Sequence, residues 1–268
     1  MKIGFIGAGN MGGAILRGYA STAAEKGHDI LVYNRTEATR KALETEFSCV
    51  HACSSAEELT EKSDIILLGV KPNMFGELLQ QTAPVCTNDK LVVSMAAGIS
   101  LAYIESFLGS SQPVIRIMPN TPAQVGEAMT SVSRNANVTD EMMASAMEIF
   151  SAIGRAEEVP EEQIHCVIGV SGSSPAYTYM YIDALAQAAE ANGMEPGKAK
   201  VFAAQAVMGA AKMVLENADT TPEQLRINVC SPGGTTIEAV NKLFENGFMD
   251  DVKEAFQAAV EKSRIMTK

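Results

Sequence analysis

The sequence has little of what marks membrane proteins, nucleic-acid-binding proteins and disulfide-bonded proteins. Its longest apolar runs, such as IILLGV at residues 65–70, are far shorter than a membrane span, so we expect no transmembrane segment. It has 21 basic against 32 acidic residues, a net charge of −11 and no Lys/Arg cluster, so nucleic acid and anionic membranes are poor partners. Five cysteines without a CxxC pair disfavour a disulfide framework. Because a strand-like KIGFIG follows Met1 with no signal peptide, we expect a cytoplasmic protein.

Metal ligands are equally scarce. In CVHAC, Cys49, His51 and Cys53 alternate, and on a strand they would share one face as a partial metal site. No fourth ligand is evident nearby, and structural zinc sites usually have four ligands. We therefore interpret these residues as part of a strand and loop, and we expect no metal.

The first part of the chain has the alternating pattern of an α/β domain. Apolar runs typical of strands occur at 2–6, 29–33, 64–69, 90–95, 114–118 and 128–132, and candidate helices lie near 10–26, 36–46, 73–83, 100–108 and 140–151. Nearly continuous apolar strands separated by helices indicate a doubly wound parallel sheet. We expect a Rossmann-like domain over residues 1–160.

The strand signal stops from about residue 161 onward. The remaining residues, 161–268, are rich in Ala and Met and predict an all-α domain. Two of its helical segments, YTYMYIDALAQAA and KVFAAQAVMGAAKMVL, have apolar faces too broad for so small a domain to bury, which indicates a subunit interface. AEEVPEE, between the two parts, is interpreted as a solvated linker rather than an acidic binding site.

A glycine-rich turn follows the first strand. In GAGNMG, Gly7, Gly9 and Gly12 fit GxGxxG at the start of a helix. Gly7 permits the tight turn, Gly9 lets a pyrophosphate approach the backbone, and Gly12 lets the helix pack close to the strand. The motif alone is weak, and a structural glycine turn is the alternative; its strand–turn–helix context favours dinucleotide binding.

The end of the second strand bears on which nucleotide binds. A carboxylate here would bind the ribose 2′-hydroxyl of NAD, but Asn34, Arg35 and Thr36 stand in its place. Arg35 can pair with a 2′-phosphate and Thr36 can add a hydrogen bond, so the sequence favours NADPH, with NADH possible. The alternative is that Arg35 is merely an exposed arginine.

Other strand ends are expected at the same edge of the sheet, because ligands of open α/β sheets bind outside the carboxyl ends of the strands. Val70, Lys71 and Pro72 follow one strand, and the small residues Ala96 and Ala97 follow the next. Asn120 lies between Pro119 and Pro122, in a stiffened loop whose amide can hold the nicotinamide or ribose. For each residue, a purely structural role is the alternative.

Catalytic motifs are few. The sequence contains no GxSxG, no HExxH and no paired carboxylates, and His28, His51 and His165 have no obvious partners. His165 lies on an apolar stretch and is interpreted as a packed residue rather than a base. A reaction that needs little acid–base help, such as hydride transfer to an already protonated imine, would explain this scarcity.

VCSPGGTT at residues 229–236 predicts a tight turn that feeds a helix N-terminus, since IEAVNKLFENG after it has helical spacing. Such a turn can have a purely structural role as a connection between helices. It can also hold an anion, because a helix N-terminus has unpaired N–H groups and a partial positive charge.

Together these motifs resemble one family, the pyrroline-5-carboxylate reductases. The resemblance is carried, in the family's order and over nearly the whole chain, by GFIGAGNMGGAI, VKP, SMAAGIS, RIMPNTPA, GVSGSSPAY, AAQAVMGAAKMV and VCSPGGTTIEAV. It implies reduction of 1-pyrroline-5-carboxylate to L-proline by NAD(P)H in proline biosynthesis. It also implies that residues 161–268 bind substrate and form dimers, that the protein is an oligomer of dimers, often a decamer, and that the active site lies at the dimer interface.

The resemblance implies residue roles as well. The substrate carboxylate is expected on Ser231, Gly233, Gly234, Thr235 and Thr236, mainly through backbone N–H groups. Thr236, together with Ser231, is the catalytic candidate, since the matching threonine is a proposed proton donor or polariser at the ring nitrogen. The cofactor is expected to be surrounded by Gly7, Gly9, Asn10, Met11, Gly12, Asn34, Arg35, Thr36, Val70, Lys71, Pro72, Ala96, Ala97 and Asn120.

The chain departs from relatives at three positions: His165 and Ile168 stand where an aspartate and a threonine are frequent, and Ile227 replaces an acidic residue. Two other functions are alternatives. A β-hydroxyacid dehydrogenase of the 6-phosphogluconate type would need a catalytic lysine, and Lys198, Lys200 and Lys212 lack a glycine-rich companion. A nucleotide-sensing module would explain only the first half of the chain.

Overall fold

The computed structural model describes residues 1–267, and within them eight strands form one sheet in the order β3-β2-β1-β4-β5-β6-β7-β8. The strands are β1 (Lys2–Ile6), β2 (Asp29–Tyr33), β3 (Val50–Ala52), β4 (Ile65–Leu68), β5 (Leu91–Ser94), β6 (Val114–Met118), β7 (Ala128–Arg134) and β8 (Gly154–Glu158). All neighbouring pairs are parallel except β6 and β7, which are antiparallel. The strand order reverses between β1 and β4, which is where such sheets open a crevice for ligands.

Helices cover both faces of this sheet. Those that accompany the strands are α1 (Asn10–Lys26), α2 (Glu37–Glu46), α3 (Ala56–Lys62), α4 (Phe75–Thr82), α5 (Leu101–Leu108), α6 (Asp140–Ser151) and the short α7 (Ile164–Val167). On one face Leu16 and Phe150 belong to a core cluster with the strands, and on the other Phe75 and Ile104 do so. Because both faces are buried, the central strands are mostly apolar rather than alternating, and Arg116 of β6 is a buried exception.

Side chains and glycines set the ends of these helices. Ser55, Ser100 and Thr139 each accept a hydrogen bond from a backbone N–H group of the helix that follows. Such caps satisfy donors that have no partner inside the helix. α1 has no side-chain cap at Gly9, and it ends at Gly27 in the left-handed conformation. The absence of a cap leaves the first N–H groups of α1 facing the sheet edge.

The chain after residue 173 is helical. It contains α8 (Ser174–Ala191), α9 (Pro196–Glu216), α10 (Pro222–Val229), α11 (Thr235–Glu245) and α12 (Phe248–Met266). The structure has two compact units: Met1–Ser173 together with the chain from Ala259 on, and Ser174–Ala258. These bounds do not coincide with the predicted domains, 1–160 and 161–268. The division of functions between those two domains stays a prediction. Lys268 lies outside the described residues.

The helical unit buries few apolar residues of its own. Its core cluster of buried residues consists of Ala186, Ala199 and Ala203. Large apolar side chains remain exposed, among them Met180 at 71% and Phe202 at 66%. So much exposed apolar surface marks an interaction site, as the broad helix faces predict.

The predicted fold class, a Rossmann-like sheet followed by an all-α part, is confirmed, and the strands expected at 2–6, 29–33 and 114–118 have those bounds. One interpretation was wrong. Residues read as a linker in AEEVPEE partly belong to β8, which pairs in parallel with β7. β8 is an edge strand of sequence GRAEE, which has no alternating apolar pattern. It forms through backbone pairing with β7, so its sequence did not predict a strand. Among residues 1–267, no helix has the length and apolar character needed to cross a membrane.

Tyr19 ties α1 to α6. Its side chain is fully buried, and its hydroxyl donates to Glu148 Oε1 at 2.8 Å and lies 2.9 Å from His28 Nδ1. Burial, reinforced by Glu148, raises the pKa of the Tyr19 phenol above its ordinary value. The hydroxyl therefore stays protonated as a donor.

We predict that Tyr19→Phe destabilises the fold by about 1–3 kcal/mol, because a charged acceptor loses its buried donor. Urea denaturation followed by circular dichroism measures the change. Tyr103→Phe is the control, since within residues 1–267 the Tyr103 hydroxyl has no hydrogen-bond partner. Equal stability losses in both variants would contradict a specific role for the Tyr19–Glu148 bond.

Candidate active site

A cleft of about 600 Å³ opens at the carboxyl ends of β1, β2 and β4. Seven of the predicted cofactor residues line it: Gly7, Gly9, Asn34, Arg35, Thr36, Val70 and Lys71. Eight further lining residues were not named as site residues from the sequence: Ile6, Tyr33, Gly69, Asn73, Met74, Glu77, Leu78 and Gln81. Those from Asn73 onward lie in the turn after β4 and in α4, whose approach to the end of β2 is set by the fold rather than by any local motif.

The glycines of the first turn allow three backbones to meet. Gly7 has φ 95°, which favours glycine, and its N–H donates to the carbonyl of Tyr33 at 2.8 Å. A Cβ on Gly12 would overlap the Gly7 carbonyl oxygen, and a Cβ on Gly69 would overlap the same atom. A Cβ on Gly9 would meet no atom within 4 Å. Gly7, Gly12 and Gly69 are thus required by packing, whereas Gly9 leaves open space beside the uncapped N-terminus of α1.

Two arginines lie at the end of β2. Arg35 is exposed at the rim of the cleft. Arg40, from the first turns of α2, donates from Nη1 to the carbonyl oxygen of Asn34 at 2.9 Å and lies 5.7 Å from the centre of the Tyr33 ring. Sequence reasoning missed Arg40; its signal is the helical spacing, which turns residue 40 back toward the strand end. Both guanidinium groups carry a positive charge near this end of the cleft.

The remaining cofactor candidates lie outside the cleft lining: Asn10, Met11, Gly12, Pro72, Ala96, Ala97 and Asn120. Asn120 is buried, and its amide is engaged within the protein. Its Nδ2 donates to the carbonyl oxygen of Ser171 at 3.1 Å, and its Oδ1 accepts from the N–H of Met129 at 3.0 Å. Ser171 belongs to a π-helical turn, Ile168–Gly172, of a kind frequent at functional sites. Asn120 therefore braces this turn, and its contact with a cofactor stays a prediction.

All three histidines have partners that the sequence did not reveal. His28 contacts Tyr19, His51 Nε2 lies 3.5 Å from Asp29 Oδ1, and His165 Nδ1 lies 2.8 Å from Ser263 Oγ. Desolvation, with Arg116 nearby, lowers the pKa of His165. Among the residues that the structure describes, no group of three or more His, Cys, Asp and Glu side chains could hold a metal ion.

The turn in VCSPGGTT forms as predicted. The N–H of Gly234 donates to the carbonyl oxygen of Ser231 at 3.0 Å, and Gly233 inside the turn has φ 69°. α11 then begins at Thr235, and its N-cap, Gly234, offers no side-chain cap. Thr235 and Thr236 are exposed. The first N–H groups of α11 are therefore available to an anion, and the helix dipole favours negative charge there.

Two family models match the chain. One, described as pyrroline-5-carboxylate reductase dimerisation, covers residues 161–266, and the other, described as NADP oxidoreductase coenzyme F420-dependent, covers residues 2–98. The fold and the cleft, with these matches, define an NAD(P)H-dependent oxidoreductase with a Rossmann-like first part and a helical dimerisation region. The exposed apolar side chains of the helical unit lie in that region, so the chain is built to form homo-oligomers from dimers.

Curated relatives and solved structures agree on the family. The pyrroline-5-carboxylate reductase of Escherichia coli (strain K12) is 48% identical over 267 residues, which covers 100% of this chain and 98% of that protein. A Coxiella burnetii reductase structure is 32% identical with a TM-score of 0.92 and covers 99% of this chain and 98% of its own. A Plasmodium falciparum reductase structure with NADP bound is 31% identical with a TM-score of 0.87, covering 100% and 98%. The chain belongs to the pyrroline-5-carboxylate reductase family, which confirms the resemblance seen in the sequence.

Proposed function

We propose that this protein uses NADPH to reduce the C=N bond of 1-pyrroline-5-carboxylate, giving L-proline in the cytoplasm. The observation that carries the proposal is the 48% identity to the Escherichia coli reductase across the whole chain. A nucleotide-sensing module would account for the first half alone, whereas the match to that reductase extends over the turn before α11 as well. A dehydrogenase of the 6-phosphogluconate type would leave that turn without a task.

NADPH fits the residues present in the cleft. Gly9 leaves room for a pyrophosphate beside the N–H groups at the start of α1, including those of Asn10, Met11 and Gly12. Arg35, Thr36 and Arg40 suit the 2′-phosphate, with Asn34 beside them. We assign Val70, Lys71, Pro72, Ala96, Ala97 and Asn120 to the nicotinamide half. When bound, NADPH supplies the hydride.

The substrate carboxylate is assigned to the turn before α11. Ser231, Gly233, Gly234 and Thr235 would hold it, mainly through backbone N–H groups, and the hydroxyl of Thr236 would polarise or protonate the ring nitrogen. No basic side chain lies within this turn, and Arg226 is engaged 5.4 Å from the Phe244 ring. Dipoles in place of a fixed cation bind the carboxylate without opposing the positive charge of the iminium.

We further propose that the dimers assemble into decamers and that residues 1–160 serve the nucleotide and 161–268 the substrate and the assembly. Sedimentation velocity measures the assembly, since each chain has a mass of 28.5 kDa. If the protein sediments as a dimer that does not associate further, the proposed decamer is wrong, whereas dimer formation through the helical region still holds.

The direct test of the activity is purified protein with 1-pyrroline-5-carboxylate and either reduced nucleotide, followed by loss of nicotinamide absorbance. We expect turnover, faster at low concentrations of NADPH than of NADH. Absence of turnover with both nucleotides would refute the proposed function.

We predict that Gly9→Ala weakens NADPH binding by at least about tenfold, roughly 1.4 kcal/mol, while the unfolding midpoint is unchanged. The physical reason is that its Cβ has free space in the protein and would obstruct only a bound ligand. Fluorescence titration gives the affinity. Gly12→Ala is the contrasting variant, because its Cβ would overlap the Gly7 carbonyl and lower stability as well. Unaltered NADPH affinity in Gly9→Ala would place the pyrophosphate elsewhere.

We predict that Arg35→Ala weakens NADPH binding by about 1.5–3 kcal/mol, the range for hydrogen bonds to charged groups, and leaves NADH nearly unchanged. Lys41→Ala is the matched control, since Lys41 is exposed on α2, the helix that follows Arg35, and pairs with Glu37. Calorimetry with both nucleotides measures the difference. Equal losses of binding free energy for NADPH and NADH would show that Arg35 does not bind the 2′-phosphate.

We predict that Thr236→Ala lowers kcat by at least about tenfold with little change in NADPH affinity, because the hydroxyl acts on the ring nitrogen. Thr236→Ser keeps the hydroxyl and should retain most of the activity. Gly234→Val should mainly raise KM for 1-pyrroline-5-carboxylate, since a side chain there would block approach to the backbone. Steady-state kinetics separate these effects. Unchanged kinetics in both Thr236→Ala and Gly234→Val would mean that the turn only connects two helices and has no role in substrate binding.

A further inference from the structure

Arg116 is the largest fully buried side chain among residues 1–267, with 1% of its surface exposed. It lies on β6, where it pairs with Ser94 of β5. Its Nη1 donates to Glu161 Oε1 at 2.8 Å, whereas Nε and Nη2 have no hydrogen-bond partner among the described residues. A buried charge is costly unless it is paired, so the position of Arg116 is tolerated chiefly because of Glu161.

Glu161 has a second task at the start of α5. The same oxygen, Oε1, accepts the N–H of Leu101, the first residue of α5, at 2.9 Å. A carboxylate at a helix N-terminus is also favoured by the helix dipole. Glu161 thus fastens the end of the segment Met95–Ser100, the β5–α5 loop, to a strand in the interior of the sheet.

Two backbone hydrogen bonds of the β5–α5 loop are long. The N–H of Met95 lies 3.4 Å from the carbonyl oxygen of Leu68, and the N–H of Ile99 lies 3.5 Å from that of Ala96. Both distances are at the long limit for such bonds. The 2.8 Å and 2.9 Å bonds of Glu161 are shorter and charge-assisted, and such bonds are about twice as strong as neutral ones. Glu161 therefore adds a strong anchor at the end of the loop, next to the buried side chain of Ile99.

The C-terminal turn of α12 supports the same loop from another side. Gly98, in the middle of the loop, has φ 77°, and a Cβ there would lie 2.6 Å from the carbonyl oxygen of Met266. Ser263, one turn earlier, contacts His165. Close packing at Gly98 leaves the loop little freedom to shift toward α12, and Glu161 holds the end of the loop that leads into α5.

We propose that the Arg116–Glu161 pair is a positioning element that fixes the β5–α5 loop, and with it Ala96 and Ala97, for hydride transfer from the nicotinamide. The proposal rests on the proposed function. Arg116 and Glu161 act through the loop and touch no reacting atom. A hydride must be transferred across a short distance, so a small shift of the loop alters the rate more than the affinity.

The first test is Glu161→Gln, which keeps the size of the side chain and removes its charge. We expect kcat for 1-pyrroline-5-carboxylate to fall by at least about tenfold, while the affinity for adenosine 2′,5′-bisphosphate, which resembles only the other end of NADPH, is unchanged. Glu162→Gln is the control, since Glu162 is an exposed neighbour in the same turn. Unchanged kcat in Glu161→Gln, or equal losses of kcat and of adenosine 2′,5′-bisphosphate affinity, would overturn the proposal.

The second test needs no activity. Hydrogen exchange of the amides in 95–101, measured without nucleotide, should be at least about fivefold faster in Glu161→Gln than in the unaltered protein or Glu162→Gln. If the single variant fails to fold, Arg116→Met combined with Glu161→Gln removes both charges, and the same faster exchange is expected. Unchanged exchange in a folded variant would overturn the proposal. Absence of turnover in the unaltered protein would instead refute the proposed function, and the exchange result would still decide whether the pair holds the loop.

Discussion

The backbone contact between Gly7, Gly12 and Gly69 is the constraint on which the rest of the nucleotide-binding part depends. The Gly7 carbonyl oxygen lies where a Cβ on Gly12 or Gly69 would be. β1, α1 and the end of β4 can therefore pack this closely only if these positions are glycine. Their closeness brings the uncapped start of α1 to the same edge as the ends of β2 and β4. The 600 Å³ cleft is therefore a result of backbone packing, and side chains such as Arg35 determine only which ligand fits the cleft.

Anion binding in this account relies on backbone dipoles more than on charged side chains. The chain has a net charge of −11, and both helices assigned to anionic groups, α1 and α11, have a glycine as N-cap residue and no side-chain cap. Unpaired N–H groups bind an anion at short range, so they work on an acidic protein without a large positive field. Positive side chains are gathered where a 2′-phosphate would need them, as Arg35 and Arg40. The turn before α11 has none, which suits a substrate whose ring nitrogen is itself positive.

The sequence predicted the parts of the fold that depend on local pattern, and it failed where distant residues determine the outcome. β1 and α1 have the predicted bounds because an apolar run and a glycine turn encode them directly. β8 was missed because an edge strand of charged residues forms by pairing with β7. Glu161 appeared to be one more glutamate of a solvated segment, since nothing nearby in the sequence shows that its partner is the buried Arg116. Arg40 was missed although its signal is local, since helical spacing in α2 brings residue 40 back to the carbonyl oxygen of Asn34.

The central claim is that hydride passes from the nicotinamide to the imine carbon of 1-pyrroline-5-carboxylate. The most direct measurement is nuclear magnetic resonance of the proline formed from NADPH that is deuterated at both C4 positions of its nicotinamide ring. The account predicts one deuterium per proline, on the ring carbon that is bonded to nitrogen and does not carry the carboxylate. Proline without deuterium, or with deuterium at another carbon, would contradict it.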